Sequence, residues 1–152
     1  MQGFIKNKTK ETVAFNNWVM VECAQTTSSD AGHDEKSRPL PGSGSISHVD
    51  FIFANCDADS TVFFDLRICY DSAGRDPVLP PLRFQLTRNG RASPNVKQAV
   101  IAADGGRFFF TAPSTQTTTG SLYVFINPTR MTGDDDLSMI VDTVRIHWSD
   151  ES

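Results

Sequence analysis

The end of the chain, residues 120–148, constrains the fold more than any other stretch. Residues 122–126 are almost wholly apolar, which is typical of a strand buried on both faces. Residues 137–148 are long and rich in β-branched side chains, and their apolar positions change parity near Asp142 and Thr143. A one-residue β-bulge at this pair keeps both halves of the strand facing the same core. The chain is therefore expected to close with two strong strands around a polar connection.

Six further segments have the composition of strands and are separated by turns rich in Gly, Pro, Asn and Asp. They are residues 11–23, 46–55, 61–70, 82–87, 96–102 and 107–111. In the first of them Asn16 and Asn17 interrupt the alternation, which predicts a bulge or bend. No window keeps the apolar period of a helix. Eight strands without a helix predict an all-β fold, an eight-stranded antiparallel jelly-roll or Greek-key β-sandwich.

Two hairpins are predicted within this set of strands. Residues 46–55 and 61–70 both alternate with period two and flank a short polar turn, so they are expected to pair with each other. Residues 96–102 and 107–111 flank Asp104-Gly105-Gly106, a strong hairpin signal.

The domain organisation follows from where the apolar segments begin. Residues 1–10 are polar and are expected to form a flexible N-terminal arm, while residues 11–152 are expected to form a single β-sandwich domain. Residues 24–45 lack a core face and are predicted to be one long loop. No secretory leader is expected, and no apolar run approaches the roughly 20 residues of a membrane-spanning helix.

Composition excludes some classes of function. The formal net charge is -4 and the pI is near 5.2, which argues against nucleic-acid binding by the domain as a whole. Lys6, Lys8 and Lys10 are the cations available to a polyanion, and a solvated tail is the favoured interpretation. Cys23, Cys56 and Cys69 lack metal-binding spacing and are predicted to be buried free thiols.

The sequence contains no motif that fixes an enzymatic activity. Gly42-Ser43-Gly44-Ser45 lacks the spacing and context of a nucleophile elbow, and there is no HExxH motif and no paired CxxC. His33, His48 and His147 are far apart in the sequence, which disfavours a cupin-type enzyme with clustered histidine ligands. A non-enzymatic protein is therefore predicted, with no catalytic residue assigned.

The strongest metal candidate in the sequence is an acidic run between the last two strands. Asp134, Asp135 and Asp136 offer three carboxylates, and hard cations such as Ca²⁺ prefer several oxygen ligands. The competing interpretation is a solvated acidic loop that keeps neighbouring strand ends from pairing with other chains. Both remain open from the sequence.

The Phe-rich eight-strand pattern from Thr12 to Trp148 resembles the single jelly rolls of small icosahedral virus coat proteins and the projecting domains that some coats carry. The resemblance implies a structural protein of the virion that self-associates, with mixed outer faces such as Phe63 beside Asp65 suited to contacts between copies. Many such coats have a long basic arm that neutralises RNA, and only three lysines stand here. The resemblance therefore favours a projecting domain, a processed subunit or an accessory surface protein over an RNA-packaging shell, and it implies a host receptor or glycan as a further partner.

The alternative is a carbohydrate-binding, lectin-like β-sandwich, which would be a cytoplasmic or secreted protein with a glycan as its partner. Such a module needs exposed aromatic platforms. Because Trp18 and Trp148 fall in predicted strands, platforms are expected to be scarce.

Overall fold

A computed structural model describes residues 1–26, 36–54, 61–87, 95–101, 108–111, 120–130 and 139–150. Within these ranges there is no helix, and the chain forms eleven strands. They are β1 (Gln2–Asn7), β2 (Glu11–Val13), β3 (Val19–Ala24), β4 (Lys36–Ser37), β5 (Ser43–Ala54), β6 (Thr61–Cys69), β7 (Leu82–Thr87), β8 (Asn95–Ile101), β9 (Phe108–Thr111), β10 (Leu122–Arg130) and β11 (Met139–Ser149).

Eight of these strands are hydrogen-bonded in the order β7-β6-β10-β3-β1-β11-β5-β8, and the short strands β2, β4 and β9 pair beside this path. The pairings are antiparallel except for the parallel β1–β4 pair. β1 and β3 share two residue pairs, so this short contact divides the sheet into two four-stranded halves. We call β7-β6-β10-β3 the first half-sheet and β1-β11-β5-β8 the second.

The two half-sheets face each other across an apolar core. The rings of Phe53 on β5 and Phe64 on β6 stack at 4.9 Å, and those of Phe51 on β5 and Phe84 on β7 stack at 5.1 Å. Strands distant in the sheet order thus touch through their side chains, which requires the sheet to curl onto itself. The predicted all-β, antiparallel sandwich of the jelly-roll type is confirmed.

The predicted bulge in the last strand is also confirmed. Val141 pairs with Phe53 and Thr143 with Ile52, so Asp142 is the extra residue. Asn7 of β1 holds the bulge in place, because its amide Nδ2 donates to the Asp142 carbonyl at 3.1 Å. Its Oδ1 also accepts from the amide of Val144 at 3.0 Å. Beyond the bulge, Val144, Ile146 and Trp148 are all buried, as the parity change requires.

The expectation of a flexible N-terminal arm is wrong for Gln2–Asn7. This segment is β1, which lies between β3 and β11 in the middle of the sheet, and Phe4 and Ile5 are at most 1% exposed. Met1 is anchored as well, since its ammonium group lies 2.9 Å from a carboxylate oxygen of Asp150. Three lysines and one asparagine between positions 6 and 10 make the segment polar on average, so the sequence alone did not reveal Phe4 and Ile5 as the apolar pair of a central strand.

Both predicted hairpins are wrong, although all four strands exist. β5 pairs with β11, β8 and β9, whereas β6 pairs with β7 and β10 in the other half-sheet. β8 and β9 pair with successive segments of β5 and run in the same direction, so they do not face each other. Period-two alternation shows which face of a strand is apolar, but it does not identify the partner strand.

The expected first strand is divided at the predicted bend. Asn16 has a φ of 61°, a left-handed conformation that asparagine tolerates better than most residues. β2 before the bend pairs with β11, and β3 after it pairs with β10. The expected long loop is also interrupted, because Lys36–Ser37 form β4 and β5 begins at Ser43.

Cys23 and Cys69 are buried free thiols, as predicted. Cys56 lies outside the described residues.

Candidate functional site

The acidic candidates lie outside the part of the chain that the structure describes. This applies to Asp134, Asp135 and Asp136, and also to His33, so the Ca²⁺ hypothesis stays a prediction. Lys8 and Lys10 both form ion pairs. Lys8 Nζ lies 3.2 Å from Glu22 Oε1, and Lys10 Nζ lies 2.8 Å from Asp142 Oδ1.

The predicted contact face around Phe63 is largely engaged within the molecule. The guanidinium of Arg83 lies 5.6 Å from the centroid of the Phe63 ring. Its Nε also donates to Asp65 Oδ1 at 2.9 Å, and this bond raises the pKa of Arg83. Exposed ion pairs of this kind contribute little to stability, but they order the side chains of the face.

An exposed aromatic platform occurs on the outer surface of the first half-sheet, contrary to expectation. Trp18 lies just before β3 rather than within a strand, and it is 47% exposed. Met20, two residues further on, is 39% exposed on the same outer face. Phe125 of β10 is the cross-strand partner of Met20 on one side and of Arg67 on the other. Trp18, Met20, Arg67 and Phe125 together form what we call the Trp18 patch.

Arg67 joins this patch to a tight turn between β6 and β7. Its guanidinium carbon lies 6.0 Å from the centroid of the Trp18 ring, within the range of a cation–π contact. Its Nη2 donates to the carbonyl of Gly74 at 3.4 Å. Gly74 has a φ of 74°, and a Cβ added there would meet the Phe125 ring at 3.4 Å. The turn therefore packs directly on the patch.

Asp71 fixes the conformation of that turn. Its carboxylate accepts hydrogen bonds from the backbone amide of Arg75 at 3.0 and 3.1 Å and from that of Asp76 at 2.9 Å. These bonds favour the charged carboxylate and lower the pKa of Asp71.

The Trp18 patch has the chemistry of a binding surface. The flat indole of Trp18 can stack on an apolar ring face, and the guanidinium of Arg67 beside it can donate to hydroxyl or carboxylate oxygens.

A second exposed aromatic residue lies on a strand with one described neighbour. Phe109 of β9 is 68% exposed, while the next residue, Phe110, is 4% exposed in the core. Among the described strands, β9 pairs with β5 alone. β9 thus presents a large apolar side chain on its outer face.

The cluster that sequence analysis missed is on the outer surface of the second half-sheet. His48 of β5 and His147 of β11 are directly paired in register, and their rings stack at 4.0 Å with an interplanar angle of 13°. Asp50 follows two residues after His48 on the same face. One oxygen of Asp50, Oδ2, lies 2.7 Å from His147 Nε2 and 3.6 Å from His48 Nε2.

Backbone irregularity and packing position this cluster. His147 pairs with His48 while Trp148 pairs with Ile46, so Ser47 is an extra residue at a second bulge. The Ser47 hydroxyl lies 3.0 Å from His48 Nδ1 and 3.4 Å from the carbonyl oxygen of His147. The His147 side chain is 4% exposed, whereas those of His48 and Asp50 are 32% and 29% exposed. The expectation that the histidines are too spread to converge is therefore wrong for this pair.

Comparisons with known proteins leave the family open. No family model matches the chain, and no curated protein matches it. Among solved structures, the chain is similar to the exo-β-1,3-galactanase of Phanerochaete chrysosporium solved with galactose, at 9% identity and a TM-score of 0.42. The alignment covers 93% of this chain and 26% of that enzyme, so the chain spans about a quarter of its length. Similarity at this level does not assign an activity.

Across the described ranges, no helix has the length and apolar character needed to cross a membrane.

Proposed function

We propose that this protein is a non-enzymatic structural β-sandwich that acts by self-association, as a viral capsid protein or a projecting domain of a capsid surface does. The observation that carries the proposal is the exposure of Phe109 on β9. A phenylalanine that is 68% exposed is costly to leave in water, and aromatic residues are enriched at the centres of protein interfaces. The virion is the location that this function implies.

Symmetry makes such a contact efficient. In a two-fold interface each copy contributes the same patch, so one contact covers Phe109 of both copies. Full burial of a phenylalanine is worth about 1.5–3 kcal/mol relative to exposure, and a strand edge adds backbone hydrogen bonds to another chain. A stable interface needs roughly 1,000 Å² or more in total, so neighbouring surface must take part.

The test compares Phe109→Asp with Ser72→Asp, which adds the same charge at an exposed turn position. Analytical ultracentrifugation over a range of protein concentrations and negative-stain electron microscopy would measure the assembly state. We expect the unaltered protein and Ser72→Asp to form the same oligomers or particles, and Phe109→Asp to remain monomeric with an unchanged circular dichroism spectrum. An unaltered protein that stays monomeric at every concentration and salt level contradicts the proposal, as does normal assembly of Phe109→Asp.

A carbohydrate-binding module is the second candidate, and the exposed Trp18 patch favours it. Its indole and the guanidinium of Arg67 are the two groups that would stack on a sugar ring and bond to its hydroxyls. Glycan-array binding that is present in the unaltered protein, lost in Trp18→Ala and retained in Gln85→Ala would support this function. Gln85 is exposed on β7 of the same half-sheet, which makes it a matched control. Absence of binding to any glycan would contradict it.

A further inference from the structure

We propose that His48, Asp50 and His147 bind one divalent transition-metal ion, with Zn²⁺ as the ion of choice. This site is on the outer surface of the second half-sheet and does not depend on the proposed self-association. Two imidazoles and one carboxylate form a mixed nitrogen and oxygen ligand set, which suits Zn²⁺ and its first-row neighbours. A hard cation such as Ca²⁺ takes six or more oxygen ligands, and one carboxylate cannot supply them.

The separations between the ligand atoms fit a single ion. Zn²⁺ binds histidine nitrogen and carboxylate oxygen at about 2.0–2.2 Å, so ligand atoms around a tetrahedral centre are about 3.3–3.5 Å apart. The two nitrogen-to-oxygen distances in the cluster, 2.7 and 3.6 Å, bracket that value. All three ligand atoms lie within 4.8 Å of one another. Three protein ligands leave the fourth tetrahedral position for water, and the ligand atoms need only local side-chain movement to reach tetrahedral spacing.

The scaffold beneath the ligands is rigid where it needs to be. β5 and β11 pair from Ile140 to Ser149, and both ligand-bearing segments lie inside this ladder. The His147 ring is packed near Phe4, with the ring centroids 6.0 Å apart. A metal ligand on a strand with little freedom to move loses little entropy on binding.

One adjustment is needed, and the structure indicates which ring makes it. The rings are nearly parallel, so their Nε2 lone pairs run side by side instead of converging on one point. His48, whose side chain is about one-third exposed, is the ring that turns, while the almost fully buried His147 stays in place. Rotation of one partly exposed side chain is a small rearrangement for a binding site.

Ser47 is placed to hold His48 in the tautomer that presents the Nε2 lone pair to a metal. The hydroxyl has a single proton, and when it donates this to the His147 carbonyl it accepts from Nδ1–H of His48. A neutral His48 then carries its lone pair on Nε2, the atom that faces Asp50. Ligating histidines commonly use the other ring nitrogen in this way, which fixes ring orientation and tautomer.

One carboxylate and a neighbouring arginine determine the charge around this site. Asp50 is the one carboxylate of the site, and Arg145 is its cross-strand partner on β11. The Arg145 guanidinium lies over the Phe4 ring, 5.9 Å from its centroid. The positive group thus lies over the aromatic face of Phe4, a residue of β1.

The experiment is isothermal titration calorimetry of the full chain with Zn²⁺ and separately with Ca²⁺, after treatment with a chelator. We expect one Zn²⁺ per chain, and affinity at least about tenfold weaker in Asp50→Asn and His147→Gln, because each change removes a direct ligand. Asp142→Asn is the control, since it removes a carboxylate from the same strand without touching the cluster. His48→Gln is a second variant that preserves the test if the more buried His147→Gln fails to fold.

Cobalt supplies an independent readout of geometry. Co²⁺ bound by the unaltered protein should show visible absorption bands that disappear with Asp50→Asn and persist with Asp142→Asn. Failure of the unaltered protein to bind Zn²⁺ overturns the proposal. It is also overturned if Asp50→Asn and His48→Gln bind Zn²⁺ as tightly as the unaltered protein does. Zn²⁺ binding that survives all changes in the cluster would belong to another site.

Discussion

Gly3 and Trp148 offer a sharp test of how the two ends of the chain are packed together. They are cross-strand partners on β1 and β11, and the buried indole occupies the space where a side chain at position 3 would be. A Cβ added to Gly3 would lie 2.6 Å from Trp148 Cζ2, which is closer than two carbon atoms that are not bonded to each other can approach. We therefore predict that Gly3→Ala and Trp148→Ala are each destabilising but are strongly non-additive.

The magnitudes follow from what each change removes or adds. Trp148→Ala should cost about 3–5 kcal/mol as a large-to-small change in a core. The Trp148 indole N–H has no acceptor among the described residues. Because Trp148→Ala also removes this unsatisfied donor, we expect a loss of stability near the lower end of that range. Gly3→Ala should cost about 1–3 kcal/mol through overpacking. With alanine at position 148 the clash with the ring is gone. Gly3→Ala should therefore cost about 1–2 kcal/mol less in the Trp148→Ala background than it does alone.

Some of the Gly3→Ala penalty should remain in the double variant, because Arg38 Cβ would still lie 3.1 Å from the new methyl group. Urea unfolding followed by far-ultraviolet circular dichroism measures all four proteins, since no indole signal is needed. Trp148→Phe is the matched control, because it keeps an aromatic ring and removes the unpaired N–H. Additive costs in the double variant, or a loss below about 1 kcal/mol in Trp148→Ala, would show that the last strand does not pack as described.

Three further predictions concern single side chains. Asn7→Ala should cost about 1–3 kcal/mol in urea unfolding, because it leaves the buried amide of Val144 without its acceptor; an unchanged midpoint would contradict the anchoring of the bulge. The hydrogen bond from Lys10 lowers the pKa of Asp142, so the stability from this pair should be present above the unfolded pKa of about 3.9 and be lost as the pH falls through the lower folded pKa. Lys10→Met should flatten that part of the stability-versus-pH curve, and an identical curve would refute the coupling. Burial raises the pKa of the Cys23 thiol, so in a variant whose other two cysteines are serines it should react with a thiol reagent only after unfolding.

The fold class was predictable because strand chemistry is local, whereas partner choice was not. The parity change around Asp142 predicted a bulge that the structure contains, and it placed Trp148 correctly in the core. The same alternation in β5 and β6 could not reveal that these strands lie in opposite half-sheets and meet through Phe53 and Phe64. A turn between two alternating strands is equally compatible with pairing and with a crossover between layers.

The candidate sites were less predictable for a related reason. His48 and His147 are 99 positions apart, and they converge because β5 and β11 pair in one particular register. The spacing of His48 and Asp50 by two residues was the available local signal, since it places both side chains on one face of a strand. The prediction that Trp18 lies within a strand is wrong. Asn16 turns the chain, so the strand that begins at Glu11 ends before Trp18.

The bulge at Asp142 connects the core to the proposed metal site. Val141 faces the core before the bulge, so without the extra residue positions 145 and 147 would also face inward. Arg145 and His147 would then enter the core, while Ile146 and Trp148 would face solvent. The one-residue shift corrects both at once, because it buries the apolar side chains and places His147 beside His48 on the face of the sheet that points away from the core. Asn7 bonds to both sides of the bulge, so the strand that was expected to be a loose arm helps to set the register on which the His48, Asp50 and His147 cluster depends.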